Sequence, residues 1–324
     1  MSQTKPNDEQ SISLVTELIG LPIENAIWNA AGALCTTEKE LHNLGQSQSG
    51  VILSKSCTLD PREGNPLPRY WCSERAPFMT INSTGLANQG YKFYGKMGYQ
   101  LSAEYDKPYI ISVSGLSIED NLNIIKELQG KCHAIELNLS CPNVIGKPQI
   151  GYDFDATQDL LNQVFSIPEL NTPLGLKMPP YFDLTHFDQM ADIINQFPIS
   201  FITCINSLGN GLIIDPIEEK AVIKPKNGLG GIGGSIVKPI ALSNVYNFRK
   251  RLNSKIDVIG CGGVRTGWDV FEHILAGATA VQVGSQLVEE GTSCFERIQK
   301  ELKEIMRIKG YLKLEDFRGK LQSM

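Results

Sequence analysis

Short apolar runs alternate with amphipathic stretches along most of the chain. Eight of these runs have the length and the β-branched or aromatic content that are typical of strands. They occupy residues 25–32, 50–56, 108–115, 133–140, 173–178, 200–207, 256–263 and 279–285. The pattern therefore predicts a series of strands that alternate with helices.

Helical patterns fill most of the intervals between these runs. The clearest occupy residues 117–130, 156–167, 184–197, 238–252, 266–278 and 294–308. In the first of them, Ser117 stands three residues before Asp120, which is the spacing of a helix-capping pair, and Gly130 marks the end. The pattern thus predicts where a helix begins and where it ends.

Eight β–α units are the number found in a (β/α)8 TIM barrel. A doubly wound α/β sheet is the alternative, but the chemically distinctive residues fall at strand ends, which favours the barrel. Residues 57–107 and 208–237 exceed ordinary loop lengths and are rich in Gly, Pro and Asn, so we expect long loops over the top of the barrel. One domain over residues 1–324 is expected, with a polar tail at residues 1–12.

Composition narrows the class of protein. The 324 residues carry a net charge of -5, so the chain has no basic footprint for nucleic acid, and an anionic ligand needs local charges or backbone amides. No apolar run approaches the roughly 20 residues of a membrane span. The eight cysteines form no CxxC pair, which favours free thiols without a disulfide frame or zinc site. We expect a cytosolic protein that binds neither nucleic acid nor membrane.

Glycines follow the last two predicted strands. Gly262 and Gly263 come after the seventh, and Gly284 with Ser285 after the eighth. Exposed N–H groups of such glycine turns bind phosphate, and the loops after strands seven and eight are the usual phosphate site of these barrels. The alternative is that these glycines only form tight turns.

Two lysines stand at the ends of predicted strands. Lys55 ends the second and Lys177 ends the fifth. Burying an unpaired ammonium group costs several kcal/mol, so each lysine needs a partner carboxylate or a bound anion. A third interpretation is a Schiff-base lysine, as in barrel aldolases. Two lysines on different strands favour a shared anionic ligand.

Amide side chains gather in the same predicted region. Asn82, Asn138, Asn143 and Asn206, followed by Ser207, come after apolar runs. An amide offers both a donor and an acceptor without charge, which suits a planar, uncharged ring that carries N–H and C=O groups. Single asparagines at strand ends are usually turn residues, but turns alone do not account for four of them.

Cys141 lies in this amide-rich setting, directly before a proline. Its simplest interpretation is a small buried apolar residue. Its place after the fourth predicted strand, where barrel chemistry occurs, also allows a nucleophile or a proton acceptor. His133 precedes that strand, at the opposite end of the barrel, and we interpret it as structural.

Several longer motifs together resemble class 1 dihydroorotate dehydrogenases. They occupy residues 62–70, 82–88, 136–149, 177–191, 205–216, 224–234 and 260–267. The segments "YDF" at 152–154 and "PPYFDL" at 179–184 are similar to the cytosolic, homodimeric, fumarate-linked subfamily, class 1A. The resemblance runs from about residue 13 to the end of the chain.

This resemblance implies FMN at the C-terminal face of the barrel. The implied FMN-binding residues are Ala31, Gly32, Lys55, Ser56, Asn138, Lys177, Ile205, Gly234, Gly262, Gly263, Gly284 and Ser285. Within that set, the residues that would hold the phosphate are Gly234, Gly262, Gly263, Gly284 and Ser285. Lys177 would lie at the N1–C2=O edge of the flavin.

The resemblance also implies the substrate and the reaction. The implied substrate-binding residues are Lys55, Asn82, Gly85, Leu86, Asn138, Asn143, Asn206 and Ser207. Cys141 would take a proton from C5 of dihydroorotate while C6 delivers a hydride to the flavin. Orotate would leave, and fumarate would then be reduced to succinate in the same site.

The sequence departs from the family pattern in the substrate loop. Thr84 stands where the family usually has Met, and Ala87 where it has Pro. Altered substrate or acceptor preference therefore stays open, as does a non-catalytic relative that senses flavin or orotate. Two enzyme classes also stay open: an NAD-linked catalytic subunit, which needs a partner carrying FAD and an iron–sulfur cluster, and a Schiff-base lyase.

Overall fold

A parallel eight-stranded sheet forms the centre of the computed structural model, which describes residues 12–73, 76–140 and 148–322. The sheet strands, in chain order, are β1 (Ile27–Asn29), β2 (Ile52–Leu53), β3 (Tyr109–Val113), β4 (Ala134–Asn138), β5 (Leu174–Lys177), β6 (Phe201–Cys204), β7 (Asp257–Cys261) and β8 (Ala280–Val283). Each lies inside one of the eight predicted runs. Their spatial order, β1-β8-β7-β6-β5-β4-β3-β2, brings the first and second strands to the two edges of the sheet.

Hydrogen bonds between β1 and β2 bring these two edges together. The Gly50 amide donates to the Ile27 carbonyl at 2.9 Å. The Asn29 side chain donates to the Leu53 carbonyl at 2.7 Å and accepts from the Leu53 amide at 3.0 Å, as a backbone ladder would. The predicted (β/α)8 barrel is therefore confirmed over the doubly wound sheet.

Nine helices flank the barrel within the described residues. They are α1 (Glu38–Gln46), α2 (Tyr91–Tyr105), α3 (Ile118–Leu128), α4 (Phe154–Phe165), α5 (Leu184–Ile194), α6 (Lys238–Arg251), α7 (Gly267–Leu275), α8 (Ser285–Glu290) and α9 (Ser293–Lys309). The predicted cap of α3 is present, because Ser117 Oγ accepts from the Asp120 amide at 3.0 Å. Single 3-10 turns lie at Ile150–Tyr152, Pro225–Gly228, Ser235–Val237 and Leu314–Asp316.

The expectation that residues 57–107 form only a long loop is wrong for their second half, which forms α2. Glycines inside this helix obscured its pattern, and they serve close packing. A Cβ atom at Gly98 would lie 2.2 Å from the Lys131 carbonyl oxygen. The short helices α1 and α8 also lack a predicted counterpart.

The two long stretches join in one antiparallel sheet, which we call the cap sheet. Its strands lie in the order Leu208–Leu212, Leu229–Gly234, Met79–Asn82 and Tyr70–Cys72. Asn82 pairs with Gly231, where a Cβ atom would lie 2.1 Å from Ser207 Oγ. The glycines of this segment thus allow close approach of the cap sheet to the end of β6.

The remaining elements are peripheral. Thr16–Leu18 pairs with Leu21–Ile23, and Ile214–Asp215 pairs with Lys220–Ala221. Most of the buried apolar side chains form one connected core around the barrel. No helix in the described ranges has the length and apolar character that crossing a membrane requires.

Candidate active site

A cavity lies at the C-terminal ends of the barrel strands, next to the cap sheet. The space among its lining residues is about 1210 Å³, which includes open solvent at the mouth. Its lining contains the following residues that the sequence singled out: Ala31, Gly32, Lys55, Ser56, Asn82, Leu86, Asn138, Lys177, Ile205, Asn206, Ser207, Gly234, Gly262, Gly263, Gly284 and Ser285.

The remaining sequence-derived candidates are Cys141, Asn143 and Gly85. Cys141 and Asn143 lie outside the described residues. Gly85 does not face the cavity: its φ is +68°, and a Cβ atom there would lie 2.4 Å from Asn65 Oδ1. Gly85 therefore shapes the loop that carries Leu86 and Thr84, both of which line the cavity.

Lys55 presents its ammonium group to the cavity. Its side chain is only 9% exposed, yet within the described part of the chain its Nζ has neither a hydrogen-bond acceptor nor a carboxylate partner. A Cβ atom on Gly32 would lie 3.2 Å from this Nζ, so the glycine leaves the ammonium group room. The geometry suits a bound anion better than a structural ion pair.

Lys177 differs from Lys55, because it is anchored by a neutral side chain. Its Nζ donates to Gln282 Oε1 at 2.8 Å, and the lysine is 5% exposed. Gln282 lies on β8, across the barrel interior from β5. The ammonium group thus sits on the cavity floor, and its other two donors have no acceptor among the residues that the structure describes.

The amides of β4 and β6 form one connected set. Asn138 Oδ1 accepts from the Ser140 amide at 2.9 Å and from Asn206 Nδ2 at 3.4 Å, while Asn138 Nδ2 lies 3.4 Å from Ser56 Oγ. Asn206 also donates to the Ser140 carbonyl. Asn138 ends β4 and Asn206 follows β6 closely, which places donors and acceptors side by side at the cavity.

The glycine-rich end of the cavity has the shape of an anion site. Gly262 and Gly263 have φ of +130° and +77°. The amides of Gly263 and Ser285 donate to no acceptor among the residues that the structure describes. A Cβ atom on Gly284 would meet only Ala30 Cβ, at 3.7 Å, so the backbone there is open to a ligand. Unpaired amides in such a concave surface suit a phosphate group.

Buried His273 supports this end of the cavity from below. One ring nitrogen, Nε2, lies 3.1 Å from the Gly262 carbonyl oxygen, so it is the protonated nitrogen of a neutral ring. Burial lowers the pKa of His273 to about 4, which keeps the ring neutral. The side chain therefore holds a glycine turn without adding a charge.

Sequence analysis missed several lining residues. Thr80 Oγ1 lies 2.9 Å from Ser285 Oγ, and Arg265 packs 4.2 Å from the Phe78 ring centroid while its Nε donates to Gln286 at 2.8 Å. Arg265 belongs to the motif at residues 260–267 and was recognisable there. Thr80 was not, because no pattern predicted its strand.

The cap-sheet strand Tyr70–Cys72 contributes one residue to the cavity, Tyr70. The tyrosine hydroxyl donates to Glu289 Oε1 at 2.8 Å. Burial and the neighbouring carboxylate of Glu289 raise the pKa of Cys72 to about 11, so its thiol stays protonated. Cys72 and Trp71 do not line the cavity.

Together, the fold and the site define a (β/α)8 barrel with a cavity at its C-terminal face that suits an anionic ligand. The sequence profile of the Dihydroorotate dehydrogenase family matches residues 13–306. The chain belongs to this family, as its motifs indicated.

Curated relatives match over nearly the whole chain. "Dihydroorotate dehydrogenase (fumarate)" of Lachancea kluyveri is 49% identical over 318 residues, which cover 97% of this chain and 100% of that protein. Proteins of the same name from Trypanosoma brucei brucei (50% identity, 97% and 100% coverage) and Saccharomyces cerevisiae (49%, 96% and 99%) are also similar.

Proposed function

We propose that this chain oxidises dihydroorotate to orotate with FMN as its cofactor, and then passes the electrons to fumarate, which yields succinate. This places it in pyrimidine biosynthesis. Near-full-length similarity to relatives that carry the fumarate-linked name supports the reaction. The observation that carries the proposal is the Lys55 ammonium group, which has no partner in the described residues and shares a cavity with a set of amides. A cytoplasmic homodimer is part of the proposal.

The described residues fit FMN. The open backbone at Gly284 and the unpaired amides of Gly263 and Ser285 suit its phosphate. When bound, FMN supplies a two-electron acceptor that takes a hydride. Lys177 would hold a positive charge at the edge of the ring where negative charge accumulates on reduction. The residues that would border the ring are Ala31, Gly32, Ser56, Asn138 and Ile205.

The chain's own residues then bind and deprotonate the substrate. Lys55 would hold the carboxylate of dihydroorotate, and the same group would hold a carboxylate of fumarate. Cys141 would accept the C5 proton as the C6 hydride leaves, so that the substrate loses two electrons and two hydrogens. The substrate-ring ligands in this proposal are Asn82, Asn138, Asn143, Asn206 and Ser207, with Leu86 as an apolar wall and Gly85 shaping its loop.

Anaerobic spectroscopy of the purified chain tests this proposal. The protein should be yellow, dihydroorotate should bleach it, and fumarate should restore the colour without any partner subunit. If only a partner subunit together with NAD restores the colour, the electron acceptor is NAD and not fumarate. A colourless protein that borohydride couples to its substrate would instead establish a Schiff-base enzyme.

A further inference from the structure

A line of buried polar side chains crosses the barrel beneath the cavity. Glu136, on β4, is fully buried. Its Oε2 accepts from Thr203 Oγ1 at 2.8 Å and from Gln282 Nε2 at 3.0 Å. Gln282 in turn accepts from Lys177 Nζ at 2.8 Å. Four strands, β4, β5, β6 and β8, thus meet through one hydrogen-bonded set.

The hydrogen-bonding capacity of the groups fixes the orientation of the Gln282 amide. An ammonium group has only donors, so the amide oxygen must face Lys177. The amide NH2 group then faces Glu136 Oε2, which accepts from it. A flipped amide would set NH2 against ammonium and lose both hydrogen bonds. Gln282 is therefore a rigid dipolar bridge between an acid and an ammonium group.

Neutralisation of Lys177 alone does not explain this arrangement. Glu136 and Lys177 form no direct ion pair, and Glu136 Oε1 has no hydrogen-bond partner in the described residues. Burying a carboxylate in this way costs several kcal/mol, and apolar residues of similar volume often replace such groups without loss of stability. The arrangement holds the acid one amide away from the ammonium group, which stays at the cavity floor.

We propose that Glu136 and Gln282 are positioning residues that hold Lys177 toward the cofactor and set how strongly its charge favours the reduced flavin. This inference rests on the proposed function, because it requires a flavin above Lys177. The negative charge of Glu136 offsets part of the ammonium field. Gln282 prevents the ammonium group from collapsing onto that carboxylate.

Two substitutions should change the flavin midpoint potential in opposite directions. Glu136→Gln removes the offsetting charge and keeps the shape, so reduction should become about tenfold more favourable, or about 30 mV for a two-electron couple. Gln282→Leu removes the bridge and lets Lys177 pair directly with Glu136, so reduction should become about tenfold less favourable.

Thr203→Val is the matched control. It removes the other hydrogen bond to Glu136 Oε2 and keeps the hydrogen bond between Lys177 and Gln282. The equilibrium constant for reduction of its flavin should stay within about twofold of that of the parent, even if its stability falls. A potential shift in this control as large as that in Gln282→Leu would overturn the inference, because general damage to the barrel would then explain both.

The potentials are measured on FMN-loaded proteins by anaerobic titration against a reference dye. Unchanged potentials in both variants, or shifts of the same sign, would overturn the inference while leaving the proposed function intact. A parent protein that dihydroorotate does not bleach would instead refute the proposed function. If Glu136→Gln does not fold, the comparison of Gln282→Leu with Thr203→Val decides the question alone.

Discussion

Replacing Lys55 by Met tests the central contact of the proposed site. Methionine keeps most of the side-chain length and removes the ammonium group. Hydrogen bonds to charged groups contribute about 1.5–3 kcal/mol, and about 1.4 kcal/mol corresponds to a factor of ten in affinity. Lys55 is 9% exposed and has no competing partner in the described residues, so it breaks no hydrogen bond to another described residue when it binds the ligand. Orotate should therefore bind about 10–100-fold more weakly.

Flavin absorbance during titration of the FMN-loaded protein reports this affinity. Uracil is the matched ligand, because it keeps the ring of orotate and lacks the carboxylate. Its affinity should change less than about twofold in the Lys55→Met protein. Lys107→Met is the control variant, since that ammonium group donates to the Gly45 carbonyl at 2.7 Å, away from the cavity lining. If the Lys55→Met protein loses equal affinity for orotate and uracil, or loses affinity for neither, then Lys55 does not bind the ligand carboxylate.

Three further predictions concern the glycine turn, the buried histidine and the proposed base. Gly263→Ala should bind FMN more weakly and unfold more easily, because a Cβ atom would lie 2.4 Å from Lys238 Cβ. Gly310→Ala is the control, since Gly310 has a similar φ (+76° against +77°) but no atom within 4 Å of the added Cβ, and it should keep FMN. Flavin absorbance measures the bound FMN, and urea unfolding measures the stability. The pKa of His273 falls to about 4 in the fold from 6.5, so unfolding takes up a proton and stability should decline by up to about 3 kcal/mol between pH 6.5 and 4. In urea unfolding, His273→Gln should not show the part of this stability loss that comes from His273. A pH dependence of stability equal to that of the parent would contradict the prediction. Flavin reduction by dihydroorotate should accelerate as pH rises through the range near ~8.5 where a free thiol ionises. Cys141→Ala should reduce flavin slowly yet still bind orotate, whereas Cys72→Ala should match the parent. A reduction rate that does not change with pH in stopped-flow measurements would exclude the thiol as base.

Local pattern was sufficient for most of the barrel and for part of the site. The strands carry contiguous apolar runs, and polar residues such as Lys55, Asn138 and Lys177 stand at or just beyond their ends. Because parallel strands of a barrel end on one face, these residues were predicted to lie together. The cavity lining contains all three.

Other parts depended on contacts that no local pattern records. The strand Leu229–Gly234 consists mostly of glycine, and its pairing with Met79–Asn82 joins segments about 150 residues apart in the sequence. Glycines inside α2 look like loop residues until the Lys131 carbonyl is seen to approach Gly98. Without side chains to alternate, such segments have no period, and only their neighbours explain them.

The sequence by itself determined the alternation of strands and helices, the family, and the residues that stand at strand ends, because these depend on chemistry repeated at short intervals. Tertiary structure alone decided what those residues contact. Glu136 is an isolated acid in an apolar run, and its meaning depends on Gln282, 146 residues further along the chain. The physical reason is that a buried charge is stabilised by groups that folding brings near, whatever their distance in sequence.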